Sequence, residues 1–134
     1  MPVRDEALDW LAEARADLRH TEASISVGDY NWACFAAQQA AEKALKALIL
    51  HALGGYARGH DLVKLYRRVK GAGILLGEIS EGALLRLSAY YTVARSPCAG
   101  VERPSEEITR EQAEEAVSTA RGVLDEVAKA LQDP

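Results

Sequence analysis

The chain is poor in the side chains that most often carry chemistry. Its 134 residues include two cysteines, three histidines, one phenylalanine and one methionine. Cys34 and Cys98 lack metal-ligand spacing and are too few for a disulfide framework, so they read as buried or free thiols. His20, His51 and His60 form no His-Glu-x-x-His pattern, and no helix face gathers inward-facing acids, which argues against a metal centre. The longest apolar stretch, Ala44 to Leu53, is broken by Lys46 and His51. It falls short of the roughly 20 residues needed to cross a bilayer. The opening Met-Pro-Val-Arg-Asp-Glu has no signal-peptide core behind it, and a cytoplasmic address is expected. No run reads as a strand. The glycines at 54, 55, 59, 71, 73 and 77 therefore read as turns rather than as a phosphate loop following a strand. No serine or cysteine stands in a recognisable nucleophile context, and no cofactor is implied.

What remains is an ordinary globular balance of 49% hydrophobic and 27% charged residues in a chain long enough for one domain, 1–134. The net charge of −4 hides an arrangement. Residues 1–29 carry seven acids and three bases, residues 30–101 four acids and nine bases, and residues 102–134 nine acids and four bases. A basic middle between acidic ends either presents a polar field suited to phosphate-bearing ligands, or averages out where the segments interleave in space.

Periodicity predicts helices throughout. From Asp5 to about Val27, a stripe of Ala7, Leu11, Ala14, Leu18, Thr21 and Ile25 marks a long amphipathic helix. Gly28-Asp29 ends it, with Asp29 expected to cap the next helix, which enters at Tyr30. That second helix, Tyr30 to about Leu53, has a broad apolar arc including Ala33, Cys34, Ala37, Ala40, Ala41 and Ala44. Opposite runs a narrow polar strip of Gln38, Gln39, Glu42, Lys43 and Lys46. So wide an arc predicts a central helix touched on more than one side. Gly59-His60-Asp61 reads as a cap before a short helix burying Leu62, Leu65, Tyr66 and Val69. Ile74-Leu75-Leu76 reads as a turn packed on the core. A further helix is expected from about Glu78 to Ala94, then a loop over 96–108. A capping box, Thr109 to Gln112, opens the last helix. The fold class is all-α, an up-and-down antiparallel bundle of four to five helices.

One segment invites a functional reading. Tyr91 and Arg95 lie at i,i+4 and share a helix face next to the break at Pro97. Arg95 either caps the helix carbonyls or binds phosphate beside a stacking tyrosine, Tyr91 or Tyr90. His60, at a helix entrance, either hydrogen-bonds locally or joins a ligand site. Lys43 and Lys46 are further basic candidates from the middle segment.

The run from Gly28-Asp29-Tyr30 through Trp32-Ala33-Cys34-Phe35-Ala36-Ala37-Gln38-Gln39-Ala40-Ala41-Glu42-Lys43-Ala44-Leu45-Lys46, followed by Gly59-His60-Asp61-Leu62, closely resembles the HEPN domain family (higher eukaryotes and prokaryotes nucleotide-binding). The likeness extends from Asp9-Trp10-Leu11 to the last helix. It implies a cytoplasmic prokaryotic bundle that commonly forms a homodimer and is often paired with a minimal nucleotidyltransferase in toxin–antitoxin-like systems. Many relatives are metal-independent ribonucleases using an arginine followed about a turn later by a histidine. Tyr90, Tyr91, Arg95 and Pro97 agree with a Tyr-Tyr-x-x-x-Arg-Tyr-Pro-Asp pattern, while Ser96 and Cys98 depart from it. The Arg/His pair is incomplete, since no histidine follows His60. The resemblance thus implies a protein that binds nucleotide, RNA or a nucleotidyltransferase through Arg95, Tyr91, Tyr90, Lys43, Lys46 and His60. The alternatives are a dimeric ribonuclease toxin using Arg95 with His60 recruited within the dimer, and a purely structural adaptor. No metal and no membrane partner is implied.

Overall fold

Six helices make up the computed structural model, which describes residues 2–97 and 100–132, with side chains from Arg4 onward. They are α1 (Pro2–Ser26), α2 (Tyr30–Leu53), α3 (Leu62–Gly71), α4 (Glu81–Val93), α5 (Pro104–Glu107) and α6 (Arg110–Ala130). The described residues contain no strand, and the architecture is the all-α bundle that the periodicity predicts, with six helices rather than four to five because of the short α5. Cys98 lies outside the described residues.

The helix ends follow local chemistry. Gly28 adopts φ +81°, and the Asp29 N–H reaches back to the Ser24 carbonyl at 2.9 Å, turning α1 into α2. Asp29 does not cap α2 through its side chain, contrary to expectation. Its backbone sits at φ −88°, ψ 68°, away from the extended values of Asp61, Ser80 and Thr109, and only its carbonyl serves the helix, accepting from Ala33 N at 2.9 Å as at any helix start. Asp61 does cap α3, its carboxylate accepting from Val63 N and Lys64 N. Helix α4 begins at Glu81, later than expected, because the Ser80 hydroxyl accepts from Ala83 N at 3.1 Å and sets the start. The stretch expected as a loop over 96–108 holds the one-turn α5, whose Pro104 fits the first helical position. The capping box at Thr109 and Gln112 forms in both directions.

Helix α2 occupies the centre and touches each of the other five. Ala33, Ala37, Ala40, Ala41, Ala44 and Ala47 are fully buried on it, and their small side chains let neighbouring helices approach closely. Around them pack Leu11, Leu45, Leu48, Ile49, Leu62, Leu84 and Leu87, each burial contributing about 1.5–3 kcal/mol. Cys34 is buried on the same arc. In the α3–α4 connection Ile74 and Leu76 pack on the core while Leu75 faces solvent. The Gly77 N–H donates to Glu126 Oε1 at 2.6 Å, and a Cβ at this position would displace that carboxylate end. The same N–H holds Glu126 below the usual carboxylate range, helped by Lys129.

The charged segments interleave. Lys43 pairs with Asp17 and Arg86 with Glu115, each at 2.8 Å, tying the basic middle of the chain to both acidic ends. No helix among the described residues is long and apolar enough to cross a membrane.

Candidate functional site

The rim where α4 ends is built from buried polar contacts outward. Asn31, buried in the first turn of α2, donates through Nδ2 to the Ala94 carbonyl at 3.2 Å and so fixes the last turn of α4. The next residue, Arg95, folds back and donates from Nε to the Tyr91 carbonyl at 2.6 Å. This is the carbonyl cap that i,i+4 spacing allows. Its guanidinium carbon lies 4.4 Å from the centre of the Tyr91 ring and 4.9 Å from that of Phe35, in cation–π contact with both. Arg95 remains exposed, and no described carboxylate pairs with it.

His60 reaches the same rim from the loop before α3. Its ring stacks on Tyr91 with centroids 3.8 Å apart and planes 13° apart. Its backbone carbonyl accepts from Gln38 Nε2 at 3.0 Å and from the Ser88 hydroxyl at 3.4 Å. Ring Nδ1 lies 2.9 Å from Glu42 Oε1. A carboxylate can only accept, so Nδ1 carries the hydrogen and Nε2 is turned away from Glu42.

Glu42 is the hub behind this surface. Although 5% exposed, it also takes Lys46 Nζ at 3.0 Å and Gln38 Nε2 at 3.2 Å. Two shallow clefts flank the aromatic row. One, of about 290 Å³, lies beside His60, Tyr91, Ser88 and Leu85. The other, of about 340 Å³, lies between Trp32, Phe35, Gln39 and Lys43.

Of the residues singled out from sequence, Arg95, Tyr91 and His60 thus come together. Lys46 lies behind them, neutralised by Glu42. Lys43 stands apart across Phe35, paired with Asp17. Tyr90 turns to the opposite side of α4, where its phenol accepts from Gln112 Nε2 at 3.2 Å and meets Cys34; burial pushes it up to about 12. Phe35, Gln38, Asn31 and the central part of Glu42 were not singled out. For Glu42 and Gln38 a signal existed, since polar residues four apart interrupt the flank of an otherwise apolar helix. For Phe35 and Asn31 none did, because both act across helices distant in sequence. No group of three or more potential metal ligands occurs among the described residues.

The HEPN domain description matches residues 7–131 of the chain. No curated protein matches. Among solved structures, TT1696 from Thermus thermophilus is 42% identical with a TM-score of 0.78, covering 92% of this chain and 97% of its own. ST0689, described as an archaeal HEPN homologue, is 31% identical with a TM-score of 0.73, covering 93% and 97%. A HEPN domain protein of Thermotoga maritima is 27% identical with a TM-score of 0.68, covering 94% and 99%. With the family description spanning nearly all of an all-helical chain, the protein belongs to the HEPN domain family.

Proposed function

We propose that this HEPN-domain protein binds a phosphate-bearing nucleotide, free or within RNA, on the rim formed by Arg95, Tyr91 and His60. The observation that carries the reading is the state of Arg95. Arg67, Arg86, Arg103, Arg110 and Arg121 are each paired with a glutamate, whereas Arg95, like Arg58 and Arg68, is exposed without a described acid and alone among these lies on two aromatic rings. A guanidinium so placed offers forked donors to phosphate, and the exposed outer face of the His60 ring, backed by Tyr91, suits a base. Titration calorimetry with AMP is expected to show binding that strengthens as salt is lowered and weakens at least about tenfold in Arg95→Ala. Equal affinity in the variant would refute the assignment, and no binding of AMP or RNA at all would favour the structural adaptor.

A second reading has its own support, in that His60 stands beside Tyr91 within one chain and needs no recruitment across a dimer. With Nδ1 held by Glu42, Nε2 would take the proton of a 2′-hydroxyl attacking the phosphorus and return it to the 5′-oxygen as the P–O5′ bond breaks and the 2′,3′-cyclic phosphate forms, while Arg95 held the phosphate. RNA cleavage in the presence of chelator, lost in His60→Ala, is the result that would establish it. We further propose a homodimer, alone or with a minimal nucleotidyltransferase in a toxin–antitoxin-like pair. Light scattering that returned the 14.5 kDa monomer mass at micromolar concentration would remove the dimer.

A further inference from the structure

We propose that the site continues past Phe35 to a second base-binding place beside Trp32, so that the preferred ligand is a single-stranded oligonucleotide rather than a mononucleotide. The inference rests on the nucleotide reading above and deepens it. Four rings form an unbroken row: Trp32 meets Phe35 edge to face at 6.0 Å, Phe35 meets Tyr91 at 6.1 Å, and Tyr91 stacks on His60 at 3.8 Å. Scattered exposed apolar residues need no explanation, but a row that ends on a 47% exposed tryptophan beside an open cleft does.

The chemistry of that cleft selects its occupant. Lys43 and Asp17 pair at 2.8 Å, so two of its charged groups cancel, and phosphate finds no strong attraction from them. A nucleobase, neutral and polar only at its edge, suits the aromatic wall of Trp32 and Phe35 and the polar side chains of Gln39, Lys43, Asp17 and His20. Arg95 lies over both Phe35 and Tyr91. That position faces a phosphodiester joining a base on the Tyr91 side to one on the Trp32 side. Aromatic faces accept every base, so little sequence preference is expected.

The test uses a Trp10→Phe background, which leaves Trp32 as the sole tryptophan. Triadenylate RNA is expected to bind at least about tenfold more tightly than AMP and to quench Trp32 fluorescence. Trp32→Ala, checked for helicity by circular dichroism, should bring triadenylate down to the AMP level while leaving AMP affinity unchanged, and Trp32→Phe should restore most of the difference. Equal affinity for AMP and triadenylate would overturn the proposal. So would a Trp32→Ala protein that keeps its triadenylate affinity within twofold, including one that only loses self-association by sedimentation. Quenching and tight binding that survive Arg95→Ala would refute the phosphate assignment and leave the Trp32 subsite standing; failure to bind either probe would end both.

Discussion

Removing the Glu42 carboxylate separates a structural salt bridge from a hub that organises the site. Glu42→Ala takes away the acceptor of Lys46 Nζ at 3.0 Å and of His60 Nδ1 at 2.9 Å, together with a Gln38 contact at 3.2 Å. The Lys46 side chain is 12% exposed, so it keeps a nearly buried charge without a counter-ion. Breaking a buried pair from one side costs about 3–5 kcal/mol. For a chain of this length about 1 kcal/mol shifts Tm by roughly 3–5 °C, so the variant should melt roughly 9–25 °C below the parent. Glu42→Gln keeps the volume and one acceptor oxygen while losing charge assistance, and about 1.5–3 kcal/mol is expected. Adding Lys46→Met to Glu42→Ala removes the stranded ammonium and should recover part of the loss, with a coupling of about 0.5–3 kcal/mol. Urea unfolding followed by circular dichroism reads these values as shifts in midpoint at constant slope. At temperatures where Glu42→Gln is folded, AMP affinity should also fall, because a single amide oxygen is left for Lys46, Gln38 and the His60 ring together. A Glu42→Ala protein less than about 1 kcal/mol below the parent, or a double variant whose costs simply add, would refute the hub.

The remaining predictions concern buried groups on α2. Burial pushes the Cys34 thiol up to about 12 against the opposing effect of the Tyr90 hydrogen bond, so in a Cys98→Ser protein it should resist iodoacetamide at pH 8 until the chain unfolds. Rapid labelling of the native protein would contradict this. Because the folded value lies above the ordinary 9.0, the unfolded thiol loses its proton first as pH rises. Stability should therefore be intact below pH 9 and decline towards 12, with a shallower decline in Cys34→Ala by urea midpoints. Asn31→Ala leaves the Ala94 carbonyl without its side-chain donor, and a cost of about 1–3 kcal/mol with weakened AMP binding is expected. Unchanged stability and affinity would show that Asn31 does not position Arg95.

Those tests fall where sequence and structure part company, and the reason is physical. The helices were legible because each is specified locally: an apolar stripe repeats at 3.6 residues, and Gly28, Asp61 and the Thr109–Gln112 pair act within a turn of themselves. Asp29 shows the limit of such signals. A good capping residue makes no side-chain cap because the turn closing α1 leaves its ψ at 68°, short of the extended backbone that Asp61, Ser80 and Thr109 adopt. The pairing of Arg95 with Tyr91 was legible for the same local reason. The position of His60 was not, since a ring 31 residues from Tyr91 in sequence is brought onto it by Gln38, Ser88 and Glu42 acting together. Electrostatics misled in the same way: counted along the chain, Lys43 and Lys46 belong to a basic island, yet in the fold Asp17 and Glu42 neutralise them. Arg58, Lys64 and Arg68 stay exposed without a described ion pair, but the feature set apart by its geometry is smaller and sharper than a basic segment. It is one guanidinium lying on two ring faces at the end of α4, held by a helix cap and a buried asparagine. A diffuse basic patch would attract any polyanion and lose its hold evenly as residues were removed. A single oriented guanidinium beside stacked rings instead concentrates recognition in one contact, which is why Arg95→Ala should weaken AMP binding at least about tenfold while His51→Ala, on an exposed face away from this rim, leaves it unchanged.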